Sequence, residues 1–181
     1  MTGSVQLRVV NNGAVRWETI GSVNGGSFVT VITPEQARRN STYYDYARTE
    51  LLRYRQADCK FNTLATSSLP SGGYWVQYLY VNGQEGFYRQ KQERLAGDVY
   101  RTRNSVYIYA EGTADLTGSA DCNVTTSSGS VRQVFQADVH LRPGWNMITT
   151  ESDRLPDNHL EISVRMGDDP EVHWSGSQDQ Q

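Results

Sequence analysis

Short runs of alternating apolar and polar residues, each closed by Gly, Asn or Pro, recur along almost the whole chain and leave it few folds to choose from. Val5, Leu7 and Val9 alternate with Gln6 and Arg8, and Leu160, Ile162, Val164 and Met166 alternate with His159, Glu161, Ser163 and Arg165. A period of two sends successive side chains to opposite faces of a strand, so each run reads as a half-buried strand. Asn11-Asn12-Gly13 turns the first strand into residues 14–20, where Val15 and Trp17 share a face. Asn24-Gly25-Gly26 turns again into 28–32, completing a three-stranded meander. Asn82-Gly83 between 74–81 and 85–90 reads as a β-hairpin, because both residues accept the positive φ of a two-residue turn. Farther on, 106–110, 112–118, 131–141, 145–150, 160–166 and 172–174 read as strands, and 91–98 as a charged surface connection.

The pattern changes between Pro34 and Arg55. Thr33-Pro34-Glu35-Gln36 offers a helix cap, proline at the first helical position and Gln three residues past the cap. Tyr44, Ala47, Leu51 and Tyr54 then recur at helical spacing, and Tyr44, Ala47 and Leu51 are expected to face inward. The expectation is a mainly β chain, an antiparallel β-sandwich of Ig-like or transthyretin-like type, with a short helical insertion around residues 34–55 that covers a sheet edge or open end. One sandwich domain spans 5–174, and 175–181 read as a flexible tail.

Composition excludes several functions. The chain holds no stretch near the ~20 apolar residues of a membrane-spanning helix. The net charge of −3 is unevenly distributed: residues 38–103 carry 11 Lys/Arg against 6 Asp/Glu, and the rest 6 against 14. Such a split fits either intramolecular pairing of two faces or an anionic partner. Tyr and Arg interleave from Tyr43 to Arg55, yet no nucleic-acid motif accompanies them, so no nucleic-acid partner is expected. No G-x-S-x-G turn and no H-E-x-x-H spacing occurs, which leaves no catalytic residues, metal or cofactor to assign. His140 with Asp138, and His159 with Glu161, would form a metal site only if their strands placed them together. The acidic turn at Asp168-Asp169-Pro170-Glu171, and Asp115 with Asp121, lack a calcium-loop register.

The C-terminal half carries a resemblance. Ser105–Gly118 (SVYIYAEGTADLTG), Val131–Leu141 and Leu141-Arg142-Pro143-Gly144-Trp145-Asn146 resemble extracytoplasmic β-sandwich domains of uncharacterised bacterial envelope lipoproteins. The likeness covers about residues 97–174. It implies export and an envelope, periplasmic, cell-surface or secreted location, assuming that a signal peptide has been removed, and it supplies no catalytic residues. Cys59 and Cys122 lie outside any C-x-x-C motif, and in an oxidising compartment they are expected to pair as a disulfide. The other reading is two free thiols buried as small hydrophobes.

The functional expectation is a non-catalytic extracytoplasmic module that holds a protein partner or forms part of a surface assembly. The alternative is a module for carbohydrate or another ligand. It would use Tyr78 and Tyr80 of the hairpin with Tyr107 and Tyr109, since a tyrosine ring offers a rigid apolar platform with a polar tip. Trp145 is expected to point into the sandwich beneath the Pro143-Gly144 turn.

Overall fold

The computed structural model describes residues 2–11, 14–25, 27–40, 43–67, 73–76, 78–127 and 129–175. In chain order the elements begin with β1 (Thr2–Asn11), β2 (Ala14–Asn24), β3 (Ser27–Thr30), α1 (Pro34–Asn40), β4 (Tyr43–Tyr44) and α2 (Tyr46–Arg55). Then come β5 (Asp58–Asn62), β6 (Ala65–Thr66), β7 (Gly73–Val76), β8 (Leu79–Val81), β9 (Gln84–Arg94) and β10 (Tyr100–Ala110). The last are β11 (Ala114–Thr126), β12 (Gly129–Leu141), β13 (Gly144–Leu155), β14 (His159–Met166) and β15 (Trp174–Ser175). The chain is mainly β, with two short helices, as its alternation predicts. Of the expected tail at 175–181, Ser175 pairs with Tyr88 as the end of β15, and 176–181 lie outside the described residues.

The strands follow one hydrogen-bonded path, β3-β2-β1-β8-β9-β10-β13-β14-β12-β11-β5, and form two sheets. The N-terminal sheet holds β3, β2, β1, β8 and the start of β9, where Leu79 faces Phe87. The end of β9 passes into the C-terminal sheet, with Lys91 opposite Arg103 of β10. Among the described strand pairs all are antiparallel except β12–β14.

Two cores hold the sandwich together. In β12, Phe135, Ala137, Val139 and Leu141 are buried and face Ala120, Gly118, Leu116 and Ala114 of β11 in register. These residues meet Ile108 and Ala110 of β10, Ile148 of β13 and Val164 of β14 in one cluster. Since β13 and β14 separate β10 from β12 along the path, the C-terminal sheet must curl over this core. Helix α2 closes it: Leu51 and Tyr54 are buried, Tyr54 stacks on Phe135 at 4.8 Å, and its hydroxyl donates to Gln133 Oε1 at 3.1 Å. The side chains of Tyr44 and Ala47 lie outside the described residues.

The second core lies between the sheets. Val5, Leu7, Ile20 and Val23 of the N-terminal sheet pack with Val76, Leu79 and Val81, and with Tyr107 on the reverse face of β10. Helix α1 touches β1 and β7 and buries Ala37 completely. Its start is a reciprocal cap: the Gln36 amide N–H donates to Thr33 Oγ1 at 3.2 Å and the Thr33 N–H to Gln36 Oε1 at 2.8 Å.

Residues 91–94, expected in a surface connection, continue β9 instead. Their side chains carry no hydrophobic alternation, and cross-strand ion pairs hold the segment where an apolar face would otherwise do so: Arg103 meets Glu93 at 3.0 Å.

Candidate functional site

The N-terminal sheet has an inner face set by Val5 and Leu7, so Gln6 and Arg8 of β1 point outward. Register carries that parity across the sheet: Arg8 faces Trp17, Gln6 faces both Thr19 and Tyr80, and Ser22 faces Val29. The outward face of an antiparallel sheet is ordinarily polar. Here it displays Val15 at 45%, Trp17 at 40%, Val29 at 79% and Val31 at 70% exposure. The Trp17 ring lies 5.0 Å from that of Tyr80, tilted by 58°. Asn82 and Gly83 hold the β8–β9 turn at φ 52° and 70°, and a Cβ on Gly83 would sit 3.4 Å from the Trp17 ring. Asn82 Oδ1 accepts the Ser4 N–H at 2.9 Å, which ties the turn to β1.

The four sequence-predicted tyrosines do not share one surface. Tyr80 belongs to the outer face just described. Tyr78 is 45% exposed. Tyr107 packs against the inter-sheet core, 6.5 Å from the Trp174 ring and nearly parallel to it. Tyr109 lies farther along β10, opposite Tyr74 of β7 on one side and Trp145 of β13 on the other. Tyr109 and Trp145 meet edge to face at 5.5 Å and 65°. The Arg38 guanidinium lies 5.2 Å from the centre of the Tyr109 ring, and its Nε donates to Glu111 at 2.6 Å.

Trp145 does not enter the sandwich. It is 40% exposed, and the inward position falls to Asn146, which is 8% exposed and faces Ile108. Gly144 takes φ 103°, and the strand parity it starts puts Asn146 and Ile148 inside. Asn146 then secures the turn: its Nδ2 donates to the carbonyls of Arg142 and Gly144, and its Oδ1 accepts the Arg142 N–H at 3.0 Å. Sequence reasoning passed over this residue, although Asn after Gly-Trp is a turn-forming type.

Register keeps the two histidines apart. His159 of β14 is opposite Arg132, eight residues before His140 on β12, a separation of about 26 Å at strand rise. His140 is held by Asp115 at 2.9 Å and Asp138 at 3.0 Å, and both carboxylates push its pKa up. Among the described residues no group of three His, Cys, Asp or Glu is arranged to hold a metal. Asp168 and Asp169 lie against Arg89 and Arg103, and Asp121 against Arg132, so the acidic turns are met by cations.

The uneven charge resolves within the molecule. Arg38 pairs with Glu111, Arg39 with Glu18, Lys91 with Glu171 and Arg101 with Asp153. Arg103, 15% exposed, reaches Glu93, Glu151, Asp169 and Glu171. The basic segment is largely spent on the acidic remainder of the chain. The cysteines form a disulfide, Cys59 of β5 lying opposite Cys122 of β11.

No protein-family model, curated protein or solved structure matches this chain.

Proposed function

We propose that this chain is a non-catalytic interaction module that works outside the cytoplasm and meets a protein partner of the envelope or cell surface through the outer face and edge of its N-terminal sheet. The observation that carries the reading is the group of Val15, Trp17, Val29 and Val31, all exposed on one outward face. Several large apolar side chains exposed on one sheet face mark association sites more often than a single exposed hydrophobe does. The Cys59–Cys122 disulfide supports an oxidising compartment. The envelope-domain resemblance of residues 105–146 points the same way, towards an exported or lipid-anchored protein. The test is capture from an envelope extract on immobilised protein. Trp17→Ala combined with Val31→Glu abolishes retention of the partner while the variant still unfolds cooperatively; equal retention by the variant overturns the reading.

One observation favours a second reading, a carbohydrate module at the open end of β10 and β13. Trp145 is exposed, braced by Tyr109 and flanked by the Arg38–Glu111 pair, so an apolar ring stands beside charged hydrogen-bonding groups. A glycan array probed with wild type and Trp145→Ala tests it: binding lost in the variant supports the site, and no binding by wild type rejects it.

A further inference from the structure

We infer that the N-terminal sheet is completed by a second copy of this chain, the two β3 strands pairing antiparallel about a two-fold axis at Val29. The inference rests on the interaction-module reading and names the partner.

Among the described residues β3 pairs only with β2, so it forms one end of the strand path. The direction of its backbone groups follows from two contacts. The Val31 N–H donates to the Ile20 carbonyl at 3.0 Å, and a Cβ on Gly21 would collide with the Val29 carbonyl oxygen. Val29 and Val31 therefore direct their backbone groups at β2. In an antiparallel ladder alternate residues bond to opposite sides, so Phe28 and Thr30 direct theirs away from β2, across the open edge. A backbone edge of that kind is satisfied by another strand.

Natural edges are commonly blunted by charge, proline or a bulge on the edge strand. The edge at β3 carries none of these: no Asp, Glu, Lys or Arg occurs from Thr19 to Pro34, and β2 and β3 stay in register from Gly21–Thr30 to Asn24–Ser27. The opposite end of the path is defended, since β5 bears Asp58 and Lys60. A charge-free edge is indifferent to a charged partner strand but fits its own copy without repulsion. Pairing about Val29 sets Phe28 opposite Thr30 of the second copy, and Thr30 opposite its Phe28, so four open backbone groups on each strand are satisfied at once. The same register brings the two Val29 side chains together in a non-hydrogen-bonded position, where Cα atoms approach to about 4.5 Å. Val29 and Val31 of both copies then form one apolar strip on the outer face. A two-fold contact of this sort is self-closing, which limits assembly to a dimer.

The test uses the native disulfide, which leaves no free cysteine in the described chain. Sedimentation of the wild type over rising concentration should show a shift from the 20.4 kDa chain to twice that mass. Val29→Lys should remain monomeric throughout. Val29→Cys should form a covalent dimer in air, while Val31→Cys, facing Ser27 of the second copy, should not. A wild type that stays monomeric at every concentration overturns self-pairing. So does a dimer that persists in Val29→Lys, or one that cross-links through Val31→Cys as readily as through Val29→Cys. The envelope-extract capture is read separately, so a monomer that still retains a partner through Trp17 and Val31 rejects only the second copy.

Discussion

Glu50 lies on α2 with 6% of its surface exposed and an Oε2 that accepts no hydrogen bond among the described residues, Arg53 standing 3.4 Å away. Burial raises its pKa, and Arg53 only partly opposes the shift. A carboxyl with a raised folded pKa binds its proton more tightly in the native state than in the unfolded chain. The stability this gives is complete below the unfolded value of about 4.3 and is lost as pH rises through the folded one. Glu50→Gln, which keeps the shape and removes the charge, should therefore stabilise the protein at pH 7 and have no such advantage in acid. Urea unfolding at both pH values reads the difference. A second residue-level contrast lies at the Gly144 turn. Asn146→Ala removes the hydrogen bonds that secure the turn and strands a backbone N–H, so it should cost about 1–3 kcal/mol. The neighbouring Trp145→Ala should cost less, because that ring is 40% exposed. Reversal of this order in thermal or urea unfolding would place Trp145 back in the core.

Helix α1 was legible because its start is chemical: threonine, proline and glutamine at cap spacing appear in the structure as two reciprocal hydrogen bonds. Thr33→Ala should cost about 1 kcal/mol, read as earlier exchange of the α1 amides and a lower melting midpoint. Strand β11 shows the limit of reading from alternation. Residues 112–118 look like a short strand ended by glycine, yet the strand runs from Ala114 to Thr126. Gly118 sits within it at φ 110° because the Thr63 backbone packs against it, and a Cβ there would lie 2.5 Å from the Thr63 carbonyl oxygen. That approach is long-range and leaves no local mark. The candidate surface was hidden for a different reason. A period of two groups Val15 with Trp17, but parity alone does not say which face the rest of the chain will cover. In β3 the covered side belongs to Phe28, which packs towards Trp174, and Val29 is left outside.

At the scale of the molecule the sheet path joins two cores through β9, and the disulfide fastens the far end, Cys59 on the end strand β5 to Cys122 within the main core. The bond closes a sequence separation of 63 residues, for which the chain-entropy account gives about 4 kcal/mol. The Cys59→Ala/Cys122→Ala variant should lose stability on that scale in urea unfolding, with the surface at β3 unaffected. The charge split along the sequence has its place here as well: its basic and acidic parts meet as ion pairs across the same fold, with Arg103 among four carboxylates. Among the described residues no strand lies beside the open edge of the N-terminal sheet, and that edge is assigned to a second copy of the chain. Amide hydrogen exchange followed residue by residue at low and high protein concentration tests that assignment most directly. The account predicts that the Phe28 and Thr30 amides exchange freely when dilute and become protected as concentration rises, while the amides of the defended edge at β5 do not change. Exchange at Phe28 and Thr30 that is the same at every concentration would contradict it.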